Sequence, residues 1–207
     1  MDERALFYLD YYDIENYLFS KVHERFRQDG YLCAFDFFSI VRWKSNRTSG
    51  MIREALRARC PDLDQAVKSL TGDIHEVADH ENRLKILLGV RGIGLPIATA
   101  ILTVLYPDHF TVYDSRVCRQ LGRFSNLGGR TNATIWEGYE EFRQAVREEA
   151  VRRGAPESLG FRDMDRWLWT LDVVDQLKRE GCTPPSSTQA QSRSMPTISR
   201  AERPAVG

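Results

Sequence analysis

The stretch VRGIGLPIA, Val90–Ala98, decides how this chain is read. Two glycines flank an isoleucine, a proline follows, and a strongly apolar helical pattern begins at once. Gly92 and Gly94 can both take positive φ and let another backbone come close. The stretch therefore fits either a tight αα corner or a place where main-chain N–H groups meet a ligand. Apolar residues on both sides recur at helical spacing. Leu84, Leu87 and Leu88 form the stripe leading in, while Ala98, Ile101, Leu102 and Leu105 fall at i, i+3, i+4 and i+7 beyond it, and Pro107 stops the run. Pro96 sits near the first helical position, where its missing N–H costs nothing. Ile93 is expected to point inward and lock the turn. A helix beginning here carries unpaired N–H groups and the positive end of its dipole, which suit a phosphate.

Working outward, helical periodicity covers most of the chain and sustained strand alternation is absent, so the fold is expected to be mainly α. A first helix is expected over about Ala5–Arg27, with Phe7, Tyr11, Ile14, Leu18 and Val22 on one face and Gly30 after it; a second covers roughly Leu32–Val41. Asp62 or Asp64 is placed to cap a helix holding Leu63, Val67 and Leu70, with Gly72 closing it and another helix starting near Asp73. FTVY, Phe110–Tyr113, reads as a short extended piece. Asp114 then opens a helix through Val117 and Leu121. The loop SNLGGRTN leads to a long helix through Trp136, Tyr139, Phe142 and Val146. A last helix carries Met164, Trp167, Leu168, Leu171, Val174 and Leu177, and WLW in it reads as packing. Residues 183–207, rich in Ser, Thr, Pro and Ala, read as a disordered tail.

Charge removes several classes of function. Lys plus Arg and Asp plus Glu are both 29, for a formal net charge of +0, so no global field draws the chain to nucleic acid or an acidic membrane, and any such contact is a local patch. The four cysteines, Cys33, Cys60, Cys118 and Cys182, form no metal-ligand run and read as reduced thiols. The N-terminus MDERALFYLDYYDI is acidic and aromatic, unlike a signal peptide, and no apolar run approaches the ~18 residues a membrane span needs. The expectation is a cytoplasmic monomer with no membrane contact.

The segment VRGIGLPIATAILTVLYPDHFTVYDSRV resembles the signature of the helix-hairpin-helix DNA glycosylase superfamily, in particular its endonuclease III branch. There a glycine hairpin is followed by an apolar helix, an extended stretch and an aspartate in a V-D-x-x-V-like setting, here Val112–Val117. The resemblance covers Leu84 to about Leu121. It implies a two-lobed helical fold over residues 1–182, with a hairpin lobe over about 46–124, a second lobe from 1–45 and 132–182, and a cleft between them. It also implies excision of a damaged, mismatched or modified base from double-stranded DNA. Asp114 matches the catalytic carboxylate. Gly92 and Gly94 match the hairpin glycines that approach a DNA phosphate, often with a bound monovalent cation. Members with an iron–sulfur cluster carry four closely spaced cysteines near the C-terminus; only Cys182 lies there, so no cluster and no other cofactor is expected.

A carboxylate suits this chemistry, because breaking an N-glycosidic bond builds positive charge on the sugar. Asp114 is equally well placed as an ordinary helix cap, and the two roles are compatible. The family's strand-cutting members carry a lysine just after the hairpin. That position falls on Pro96, 114 − 96 = 18 residues before the aspartate, so the expectation is a monofunctional, hydrolytic enzyme. Lys44 or Lys85 would have to enter the cleft from another direction. The run RWKSNR, Arg42–Arg47, offers Trp43, Lys44 and Arg47 for phosphate or base contact, or is a helix end whose Trp packs while its charges stay solvated; Arg116, Arg119 and Arg123 extend the basic patch or lie on a solvated helix face, and Arg91 in the turn is a further DNA-contact candidate. No metal site is expected. The alternatives are a non-catalytic hairpin module that binds DNA or a protein, and a related cleft acting on another nucleotide.

Overall fold

The computed structural model describes residues 8, 11–131 and 134–183. Within them the chain is mainly helical and has no β-strand. It divides into two compact units, residues 1–172 and 173–207. Phe7 and nearly all of the tail lie outside the described residues.

Helix α1 (Ile14–Tyr17), capped by the Asp13 side chain, runs through a π-helical turn at Leu18–Val22 into α2 (His23–Asp29), and Gly30 ends it at φ 75°. Leu18, Val22 and Phe26 give it a buried face. Helix α3 (Ala34–Lys44) sinks Phe37, Phe38, Ile40 and Val41 and carries Trp43 and Lys44 in its last turn. Of the two candidate caps, Asp62 caps α5 (Leu63–Glu76), whereas Asp64 accepts the Ala34 N–H at 2.8 Å and ties the start of α3 to it. Gly72 does not close α5, which runs through it to Glu76. Val67, Leu70 and Ile74 are buried on either side of Gly72, and that burial outweighs the ~1 kcal/mol a mid-helix glycine costs.

A helix the sequence reading passed over, α4 (Ser49–Arg59), lies between α3 and α5. Its inward side is only Ser49, Ile52 and Leu56, so its apolar signal is thin. It supports the hairpin. Arg59 donates to the Gly89 carbonyl at 3.0 Å, and Ile52 and Met51 lie against Gly92.

Helix α6 (His80–Leu88) leads into the turn and α7 (Leu95–Leu105) leaves it. Apart from Pro96, every residue of α7 is buried, so it is the central helix of its unit, with α3 and α6 packed on it. Its inward threonines are satisfied locally: Thr99 donates to the Leu95 carbonyl at 2.8 Å and Thr103 to that of Thr99 at 2.7 Å. Beyond the extended piece come α8 (Ser115–Leu121), a 3-10 turn at Leu127–Gly129, α9 (Ile135–Arg152) and α10 (Phe161–Arg179). Met164 and Leu168 bury the inner stripe of α10, but Trp167 and Trp169 are substantially exposed, so WLW gives only its leucine to the core. In the second unit, the described residues are the end of this helix and a turn at Gly181.

Candidate active site

Asp114 owes its position to the four residues before it. An extended segment outside a sheet must find partners for its backbone groups, and FTVY finds them among side chains. The Tyr139 hydroxyl of α9 accepts the Thr111 N–H at 3.0 Å and donates to the Thr111 carbonyl at 2.7 Å. Asp165 of α10 accepts from the Thr111 hydroxyl at 2.9 Å and from the Val112 N–H at 3.1 Å. Thr99 of α7 accepts the Tyr113 N–H, and the Tyr113 hydroxyl donates to the Phe124 carbonyl. Phe110, Tyr113, Tyr139 and Phe142 stack or meet edge-on around the segment. Burial dominates the charge state here: it pushes the enclosed Asp165 carboxyl up to about 6 and the Tyr113 hydroxyl up to about 12.

At the end of this strut, the two oxygens of Asp114 have separate duties. Oδ1 accepts the Arg116 N–H at 2.8 Å and caps α8. Oδ2 lies 2.5 Å from Nζ of Lys44. The cap and the charged contact coexist because they use different oxygens.

Two cavities open on this pair, and both Lys44 and Asp114 line each of them. The first, of about 590 Å³, has Trp43 and Trp169 in its wall together with Glu15, Arg162 and Arg166. Arg162 is locked in place: it pairs with Asp165, donates to Glu15 at 2.6 Å, and lies over the Phe19 and Trp43 rings at 5.2 and 5.1 Å. The second cavity, of about 880 Å³, is cationic. Besides Lys44 it presents Arg47, Arg119 and Arg123, with Asp114 its one carboxylate, and Pro96 forms part of its edge. A flat, stackable group suits the first space and an anion the second.

The hairpin is a four-residue turn closed by the Ile93 N–H to the Val90 carbonyl at 3.0 Å. Gly92 takes φ 96°, as the sequence requires of one glycine, and a Cβ there would meet Ile52 Cγ1 at 3.0 Å and its backbone nitrogen at 3.2 Å. Gly94 differs from expectation. It is an exposed N-cap with φ −95°, ordinary extended backbone, and a Cβ would meet only Pro96 Cδ at 3.8 Å. Positive φ is not needed because Gly92 alone makes the reversal. Among the described residues, no acceptor meets the N–H of Gly94 or Leu95. Ile93 is buried as expected.

Of the residues singled out from the sequence for DNA contact, Trp43, Lys44, Arg47, Arg119 and Arg123 reach the cavities. Arg91 is exposed in the turn. Arg116 lies outside both cavities, over the Trp169 ring at 5.3 Å and 3.0 Å from Asp172. Arg119 also holds Asp172, at 2.7 Å, and these hydrogen bonds keep that buried carboxyl below the usual carboxylate range. Lys85 is elsewhere, paired with Glu81 at 2.6 Å on α6. The residues missed are on α10: Arg162, Asp165, Arg166, Trp169 and Thr170 fall at i, i+3, i+4, i+7 and i+8 and form one face on the first cavity. A polar stripe bearing a tryptophan was the available signal.

The four cysteines are free thiols. Among the described residues, no three His, Cys, Asp or Glu side chains gather into a metal-holding group, and no helix is long and apolar enough to cross a membrane. No protein-family model, no curated protein and no solved structure matches the chain.

Proposed function

We propose that the chain is a DNA glycosylase of the helix-hairpin-helix kind, which breaks the N-glycosidic bond of a damaged, mismatched or modified base. The observation that carries this reading is the Lys44–Asp114 pair, standing where a Trp-lined cavity meets an Arg-lined one. A base removed from the duplex stack would enter the aromatic cavity, its phosphates would face the cationic one, and the sugar between them would lie beside Asp114. There the carboxylate stabilises the positive charge that builds on the sugar as the base departs, or orients the attacking water. Base release is hydrolytic in this scheme, since Pro96 brings no amine.

The fold is read with it as two lobes, residues 46–124 against 1–45 with 132–182, the pair joining a lysine of one to an aspartate of the other. The free N–H groups of Gly94 and Leu95 would hold a phosphate of the same strand. The carbonyls of Arg91 and Gly92 accept no hydrogen bond among the described residues, and they fit the oxygen ligands a monovalent cation takes. Four free thiols suit a cytoplasmic setting.

The test is a panel of duplexes, each bearing a different lesion or mismatch, assayed for free base with wild type and Asp114→Asn. Asparagine keeps the cap on α8, so folding and duplex binding should persist while release falls ~100- to 1000-fold. Equal release by both proteins would remove Asp114 from the chemistry. Salt-dependent duplex binding with no release from any member would leave a binding module instead.

A further inference from the structure

The hydrogen-bonding groups of the aromatic cavity are unevenly spent, and one carboxylate in its wall keeps an oxygen for the occupant. We propose that Glu15 selects the base: its free oxygen accepts an N–H from an exocyclic amine, so the site takes modified or mispaired bases that keep an amine and refuses those with a carbonyl in its place. This inference rests on the base-excision reading of the same cavity and narrows its substrates.

Two arginines decide which oxygen of Glu15 is free. Oε1 accepts from Arg162 Nη2 at 2.6 Å and lies 3.2 Å from Arg166 Nε, so both guanidinium groups crowd this one atom. Oε2 accepts no hydrogen bond among the described residues, and the side chain is 35% exposed in the cavity wall. A carboxylate held by two guanidinium groups accepts hydrogen bonds and donates none. Arg162 is not free to swing away, because it also pairs with Asp165 and lies over the Phe19 and Trp43 rings. Trp43 is itself a wall of the cavity, so the surface a base stacks on and the group that reads its edge are held by the same arginine.

The other carboxylates of this wall are spent. Asp165 serves Thr111, Val112 and Arg162, and Asp114 serves Lys44 and its helix cap. Arg166, held by Asp163 through Nη1 at 3.1 Å, keeps further N–H groups beside Glu15. An acceptor next to a donor matches an amine next to a bare ring nitrogen, the edge of adenine- and cytosine-type bases. Hypoxanthine- and uracil-type bases carry a carbonyl next to a ring N–H, which reverses both contacts. With the sugar anchored beside Asp114, the base is not free to slide along and restore them. Glu15→Gln inverts the rule at one atom. The amide oxygen stays with the arginines, since an NH2 group does not accept from them, and the NH2 takes the place of Oε2. The variant donates where wild type accepts.

The experiment uses the full chain and duplexes in matched pairs that differ by one amine: 5-hydroxycytosine against 5-hydroxyuracil, 5-methylcytosine against thymine, and adenine against hypoxanthine. Each faces an abasic position in the other strand, so no pairing energy separates the two members. Binding is measured on versions whose 2′-fluoro sugar blocks release, and base release on the ordinary sugar. Wild type should favour the amine member by about 10- to 100-fold, the worth of one hydrogen bond to a charged group. Glu15→Gln should reverse the order and Glu15→Ala should erase it. A wild type that treats the members alike or favours the carbonyl overturns the proposal, as does a folded Glu15→Gln that keeps the wild-type order. Release with no amine preference would defeat Glu15 alone. An amine preference in binding, with no release from any duplex, would support Glu15 as the reader of the base and defeat the excision reading instead.

Discussion

The hairpin turn at residues 90–94 and the run RWKSNR at 42–47 exchange their apparent roles between sequence and structure. The turn draws the eye because glycines are rare enough to be noticed, yet half of its demand is architectural: Gly92 sits at φ 96° where a side chain would run into Ile52 and Met51. The run reads as a helix end with solvated charges, yet its lysine reaches Asp114 across 70 residues of sequence. Punctuation is legible because it acts locally. A side chain that works by reaching is not.

The sharpest way to break this comparison is to treat the two glycines alike. Gly92→Ala should cost about 2–3 kcal/mol in denaturant unfolding, because an L-residue at φ 96° is strained and its Cβ displaces Ile52. Gly94→Ala, in open space at φ −95°, should stay within about 0.5 kcal/mol of wild type. Comparable losses at both would mean the turn is not divided as described.

Trp169→Ala tests the opposite side, since it removes a wall of the aromatic cavity. On the substrate found by the lesion panel, kcat/KM should fall about tenfold, the worth of one stacked base, with duplex affinity less affected. Unchanged kinetics would take the base out of that cavity. Smaller still should be Gly94→Val, which leaves the turn unstrained and only crowds an approaching phosphate. Duplex binding should weaken about fivefold, the loss of one modest hydrogen bond, without a change in base preference. A change of preference would show that the turn is not a phosphate clamp.

The mildest effect concerns pH, at the helix feeding the hairpin. Burial, then the facing His109 and Arg83, lower the pKa of His80 to about 4. Between 6.5 and about 4 the unfolded chain therefore binds a proton here that the folded one refuses, so this residue's contribution to stability falls as pH drops. The difference in stability between His80→Gln and wild type should move in the variant's favour across that window. A pH-independent difference would place His80 outside the acid response.

What the sequence made legible was whatever acts through its immediate neighbours. The glycine turn, the α7 stripe, the Asp114 cap and the extended FTVY piece all follow from local spacing, and all are present. Helix α4 escaped because Ile52 and Leu56 supply too little periodicity, and Gly72 misled because a glycine break and a tolerated mid-helix glycine look identical without their packing. At the site, Asp114 carried a signal through its setting. The polar, tryptophan-bearing stripe of Arg162 and Trp169 was visible but could not be placed, because whether one face of a helix meets the core or a cavity depends on α3 and the extended segment, far away in the chain.

The absence of a sheet around FTVY has one more consequence. Its backbone is pinned by Thr99, Tyr139 and Asp165, one from each of three helices, so the aim of Asp114 reports on α7, α9 and α10 together. A chain in which any one of these has not yet docked holds an unaimed carboxylate. On the base-excision reading proposed above, such a chain would be chemically silent until all three helices have docked.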